Sequence, residues 1–245
     1  MTSPFFRRFA PAVLLLLALV CPLLTSAQTS VSIHIPFGNV SGAGSGSNNL
    51  LVTRAQFAES WNASKRTANW VAWRLRASDI GSVPRSDFHV DPVIPTPSPS
   101  DYTNSGYDRG HLCPSGDRTN TTANNFAVFS MINIIPQAPD NNQGPWERLE
   151  SHTRSLAQAG REVYIIAGGV GSKGSFKGIT IPASTWKIIV ALQPGRTYPA
   201  VSGATTIAVL MPNNNGIRSN TWQQYQTTVS SIASRTGYNF SNYPQ

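Results

Sequence analysis

Asp108-Arg109-Gly110-His111 places a carboxylate, a guanidinium, an unhindered backbone position and an imidazole side by side. Pro114-Ser115-Gly116-Asp117-Arg118-Thr119 lies just downstream. An imidazole accepts a proton near neutral pH. A guanidinium offers phosphate oxygens a planar fork of donors, and glycine permits close backbone approach. These are parts for phosphodiester chemistry. The same stretch also reads as a surface ion pair, Asp108 with Arg109, beside a structural His111. Alone, it leaves both readings open.

A second cluster begins at Asn142-Gln143-Gly144-Pro145-Trp146-Glu147-Arg148-Leu149-Glu150. The pattern predicts a helix from near Asn141 to Ala159, stopped by Gly160. With Asn142 at zero, Trp146 falls near about 40°, Glu150 near about 80° and Arg154 near about 120°. Leu149 and Leu156 fall near about 340° and about 320°, so an apolar stripe faces the core beside a narrow polar one. Asn and Glu oxygens suit a hard ion such as Mg²⁺, which keeps most of its waters and takes one or two protein ligands. A solvated polar face is the plainer alternative.

The elements that must carry these residues follow from pattern and punctuation. Val31, Ile33 and Ile35 alternate as in a strand that would include His34, and GNVSGAGSGSNN reads as a flexible loop. LLVTRAQFAESW and NWVAWRLRA read as neighbouring antiparallel strands. DPVIPTPSPSDYTNSG, with Pro92, Pro95, Pro97 and Pro99, is a loop whose length hints at function. Thr121 or Thr122 can cap a helix running to about Met131. REVYIIAGGV, GITIPASTWKIIVAL and ATTIAVLMP read as central strands, and NTWQQYQTTVSSIASRTG as a helix from Asn220 to Gly237. Strands, then helices, then strands indicate an α+β fold, with a mainly antiparallel central sheet and flanking helices.

YDRGHLCPSGDRT followed by FSMINIIPQAPDNNQGPWERLE resembles the DNA/RNA non-specific endonucleases, the Serratia-type nucleases with a ββα-metal (His-Me finger) active site. The DRGH box, the IIPQ segment and the helix opening on NQGPWERLE stand in the family's order, and TANWVAWRL upstream also matches. The resemblance runs from about Leu50 to the C-terminal helix. It implies that His111 is the general base, that Asn142 ligates a single Mg²⁺ (Mn²⁺ or another divalent ion substituting), and that Glu150 holds the metal's water shell, directly or through water. It further implies that Arg109 and Arg154 contact the phosphate or its developing charge, that Arg85 lines the site, and that Asp108 supports it. DNA and RNA would be the substrates and 5′-phosphorylated ends the products. His111 would sit at a strand-to-loop edge and Asn142 on a crossing helix.

Composition is consistent with such a substrate. The chain of 245 residues carries a net charge of +8, which suits a polyanionic partner without choosing one. Two cysteines exclude a disulfide miniprotein, and the scarcity of Glu and Lys excludes a coiled coil. Arg7 and Arg8, the apolar run Ala12 to Leu24 and the small residues Thr25-Ser26-Ala27 read as a signal peptide over 1–27, leaving 28–245 as a single domain. The expectation is secretion, to a periplasm or beyond, with no membrane attachment once the leader is cleaved. Cys21 leaves with it, so Cys113 has no internal partner and reads as a buried thiol. His34, His89 and His152 read as structural, and Trp70, Trp73 and Trp186 as core. No feature marks an oligomeric state or a protein inhibitor. Two rival readings stay open: a nucleic-acid-binding protein without turnover, and a glycosidase using Asp108 and Glu150.

Overall fold

Runs rich in β-branched and aromatic residues, broken by Gly, Pro and Asn clusters, build a sheet in the computed structural model, which describes Met1 and residues 32–245. Strands β1 (Ser45–Gly46), β2 (Asn49–Thr53), β3 (Ala58–Asn62) and β4 (Thr67–Leu75) come first. The short pair β5 (Asp108–His111) and β6 (Ile134–Gln137) brackets helix α1 (Thr122–Val128). A helical segment follows as α2 (Pro139–Asn141), a wide turn over Asn142–Trp146, and α3 (Glu147–Gln158). Then come β7 (Val163–Val170), β8 (Ser175–Phe176), β9 (Ile179–Thr180), β10 (Ser184–Ala191), β11 (Thr205–Pro212), β12 (Gln226–Thr227) and α4 (Val229–Thr236). The main sheet has the order β1-β2-β3-β4-β7-β10-β11-β12, and every neighbouring pair is antiparallel. The α+β architecture expected from the sequence is the one observed.

Both faces of this sheet are covered. Along β10, Trp186, Ile188 and Val190 join one apolar cluster with Val229 and Ile232 of α4 and with Ile35, Phe37 and Val40. Ile189 and Ala191 point the other way, into a cluster with Leu112, Phe129, Trp146 and Leu149. This period of two is what a strand buried on both sides dictates. The second cluster cements β5, β6 and α3 onto the sheet. Each fully buried aliphatic side chain contributes roughly 1.5–3 kcal/mol to that attachment.

Several local expectations are corrected. LLVTRAQFAESW holds two strands, β2 and β3, because Arg54–Phe57 turns the chain back on itself. The segment around His34 is turns, not a strand, and Ile33 is exposed while Ile35 is buried. GNVSGAGSGSNN is ordered by Asn39, whose side chain bonds the Ala43 backbone at both ends, and by Ser41 and Asn49, which bond each other, and it carries β1. The C-terminal helix starts after the Thr228 cap, since Gln226–Thr227 pairs instead with the edge of β11. Thr121 caps α1 as expected, though the helix stops at Val128. The signal peptide expected over 1–27 lies, Met1 apart, outside the described residues. Among the described residues no helix is long and apolar enough to cross a membrane.

The predicted helix from Asn141 to Ala159 is interrupted. Pro145 supplies no backbone donor, and Gly144 leaves helical geometry at φ −115° and ψ −115°. The wide turn that results lets the chain pass against the loop at Arg218, whose backbone would lie 2.8 Å from a Cβ at Gly144. Wide turns of this kind accompany functional sites more often than chance.

A matching constraint fixes the strand opposite. A Cβ on Gly110 would lie 2.1 Å from Oε1 of the buried Gln137, its neighbour across the β5–β6 ladder. Gly110→Ala is therefore expected to cost about 2 kcal/mol through overpacking. Gly46→Ala, at a position with nothing within 4 Å, is expected to cost under about 0.5 kcal/mol. Urea denaturation of the two variants checks the contrast.

Candidate active site

His111 is the last residue of β5, at the strand-to-loop edge. Its ring lies 5.1 Å from Phe88 and 4.7 Å from Phe129, centroid to centroid. Arg109 lies 4.4 Å over the Phe88 ring, and Arg85 lies 5.1 Å over the Phe129 ring. Nε2 is buried without a partner among the described residues, and the residue lines the cleft. Burial, then Arg85, then Arg109 push the imidazole pKa down to about 3. The ring is a neutral acceptor at physiological pH. The loop after it is held by Asn133, which accepts from Cys113 N and donates to Cys113 O and Val128 O, each at 2.8 Å.

Asn142 opens the wide turn and faces β5. Its Nδ2 donates to Asp108 Oδ2 at 2.9 Å, and Gln143 Nε2 donates to the same oxygen at 2.7 Å. A carboxylate only accepts, so this contact decides which end of each amide turns inward. Asn142 Oδ1 takes no hydrogen bond from the described residues, and Asn142 lines the cleft. Arg218 locks the other end of Gln143, donating through NH1 to its Oε1 at 2.9 Å and through Nε to Asp140 Oδ1 at 2.8 Å.

Glu150 lies on α3 with its side chain largely buried. Burial pushes its carboxyl up to about 7, opposed chiefly by Lys187. Lys187 Nζ stands 3.6 Å from Glu150 Oε1 and 4.0 Å over the Trp146 ring. Arg154 NH1 reaches Asp117 Oδ1 at 3.3 Å, and Trp73 Nε1 donates to Asp117 Oδ2 at 2.8 Å. Arg154 NH2 also lies 3.8 Å from Glu147 Oε1, so three carboxylates and two cations form one linked cluster.

Arg85, Arg109, His111, Asn142, Glu150 and Arg154 all line one cleft of about 660 Å³. Asp108, from the residues singled out in the sequence, instead lines an adjoining hollow of about 310 Å³, shared with Arg85, Arg109 and Asn142. Pro99, Tyr102 and Thr103 of the proline-rich loop form part of that hollow. Among the described residues no group of three or more His, Cys, Asp or Glu side chains could cage a metal. One free amide oxygen beside one carboxylate fits a hard, mostly hydrated ion such as Mg²⁺ instead.

Sequence reasoning missed Phe88 and Phe129, Arg218 and Lys187. The lysine left a signal, a charge inside the apolar run STWKIIVA; the other three left none. The remaining histidines stay outside the cleft. His34 accepts from Arg74 N through Nδ1, with Nε2 3.0 Å from Ala55 O, and burial brings its pKa down to about 4. His89 stacks on Phe126, and His152 packs on Trp222. Trp70, Trp73 and Trp186 are core residues, and Cys113 is a buried free thiol.

A family model described as DNA/RNA non-specific endonuclease matches residues 36–245. A nuclease of Nostoc sp. is 45% identical over 231 residues, covering 89% of this chain and 84% of that protein. A nuclease of Serratia marcescens is 30% identical over 246 residues, covering 94% and 88%. The mitochondrial nuclease EXOG of Xenopus laevis is 29% identical over 170 residues, covering 61% of this chain and 48% of that one. The solved EndoG/EndoGI complex superimposes with a TM-score of 0.69 at 22% identity, over 80% of this chain and 86% of that one, which establishes the shared fold.

The charge around His111 gives a direct test. Cations oppose protonation, so removing two of them must raise its pKa. NMR titration is expected to show His111 neutral at pH 6.5, where a free imidazole is half protonated. The Arg85→Gln/Arg109→Gln double variant is expected to move its midpoint upward.

Proposed function

The chain belongs to the DNA/RNA non-specific endonuclease family, and from that premise we propose a secreted, Mg²⁺-dependent nuclease that hydrolyses both DNA and RNA to 5′-phosphorylated ends. The observation that carries the reading is that the His111 imidazole and the Asn142 amide line one cleft with Arg85, Arg109 and Arg154. Secretion rests on the leader pattern of residues 1–27, with 28–245 as the working domain. The names of several relatives place them in mitochondria, so location is read from this chain's own N-terminus.

His111 takes the proton of the water that attacks phosphorus in line with the departing 3′ oxygen. Its depressed pKa makes it a weak base in the free protein. A phosphate seated between Arg85 and Arg109 cancels their charge and raises that basicity when substrate is present. Asn142, oriented by Asp108, and Glu150 are the residues that would hold the ion. When bound, a divalent ion neutralises the phosphate oxygens and the charge developing on the leaving oxygen. Arg109 and Arg154 offset the rest. Contacts of this kind address the backbone and carry no base information, which accounts for the lack of sequence preference.

Digestion of plasmid and RNA by residues 28–245 tests the proposal. Cutting of both with Mg²⁺ and none with excess EDTA is expected. His111→Ala and Asn142→Ala are each expected to lose at least about a hundredfold in rate. A gel shift without cutting under any divalent metal would leave only a binding protein and overturn the proposal.

A further inference from the structure

Lys187 stands where a lysine is least expected. It lies on β10, one of the central strands, with a side chain 1% exposed and its neighbours Thr185, Trp186, Ile188 and Ile189 all buried. Its ammonium lies 4.0 Å over the Trp146 ring and 5.6 Å over the Trp73 ring. The Glu150 carboxylate is 3.6 Å away and is the acidic group in ion-pair reach of Nζ among the described residues. A buried ion pair is a poor source of stability, because apolar residues of equal volume commonly serve the fold as well or better. Retaining the charge therefore points to work done at Glu150.

The surroundings define that work. Glu150 lines the large cleft, whereas Lys187 does not. On the other side Asp117 is occupied by Trp73 and Arg154. The ammonium thus has one anionic oxygen to hold, Oε1, and holding it leaves Oε2 of this cleft-lining residue out of the pair. Trp146 belongs to the same wide turn that carries Asn142, so Lys187 contacts both of the segments that bear metal-holding residues.

We propose that Lys187 is a positioning residue that pins one oxygen of Glu150 from behind, through the sheet-facing side of α3, so that the other serves the divalent ion. This deepens the metal-dependent reading above and rests on it. Partners behind a ligand typically change metal affinity or activity by about 10–100-fold when removed. No contact of Lys187 with substrate is implied.

The test is a double-mutant cycle read by Mn²⁺ titration in solution, with calorimetry or EPR counting bound ion and no turnover required. The proteins are wild type, Lys187→Met, Glu150→Ala and the double variant, each checked by circular dichroism and thermal melting. Lys187→Met, which leaves Glu150 without its partner, is expected to fold but melt below wild type and to bind Mn²⁺ at least about tenfold more weakly. In the Glu150→Ala background the same substitution is expected to change nothing. Lys187→Gln, which keeps an N–H donor, is expected to recover part of the affinity. Equal losses in both backgrounds, or unchanged affinity in Lys187→Met, would overturn the proposal, as would a Lys187→Met that does not fold while Lys187→Gln folds with wild-type affinity. Failure of wild type itself to bind Mn²⁺ would instead remove the metal-dependent reading on which the proposal stands.

Discussion

One oxygen of Asp108 accepts from two amides, Asn142 and Gln143, and that convergence ties the strand of the imidazole to the helix opposite. Without it, the Asn142 amide could turn either end toward the cleft. The tether also explains the company it keeps. Gly110 must lack a side chain so that Gln137 can lie across the ladder, and Gly144 must lack one so that the Arg218 loop can close behind Gln143. Arg218 then fixes Gln143 from its far end. A carboxylate, three amides and two glycines thus tie β5 to the wide turn by hydrogen bonding and close approach, on top of the apolar packing beneath them.

Behind this polar clasp the structure places charge in the core. Lys187, Glu150, Asp117 and Arg154 compensate one another, with indole rings of Trp73 and Trp146 beside them. Burying any one of these ions alone would cost several kcal/mol. The imidazole is treated differently. It is kept neutral by burial between two phenylalanines and by the arginines lying over those rings. The cleft therefore brings together an uncharged proton acceptor and a cluster of linked ion pairs.

Much of this was legible in local sequence, and the limits were physical. The family resemblance carried by DRGH and NQGPWERLE implied a strand edge for His111 and a helix for Asn142, and helical spacing from near Asn141 supported the second. The central strands were readable because β7, β10 and β11 are buried on both faces and rich in β-branched residues. What failed depended on neighbours distant in the chain. His34 looked like a strand residue because alternation over a few positions cannot reveal that Ala55 and Arg74 claim its ring. The helix from Asn141 was read through Gly144-Pro145 because its apolar spacing continues past the break. Phe88, Phe129 and Arg218 are brought to the site by loops, whose paths no periodicity encodes. Lys187 was legible as an anomaly, but its partner on α3 was not.

The central claim is that Asn142 offers its amide oxygen to a divalent ion while His111 remains free of it. Anomalous scattering from a crystal soaked in Mn²⁺ measures this directly. The account predicts one strong peak at bonding distance from Asn142 Oδ1, with neither nitrogen of His111 coordinated. A peak bonded to the His111 imidazole, with Asn142 left to solvent, would contradict it.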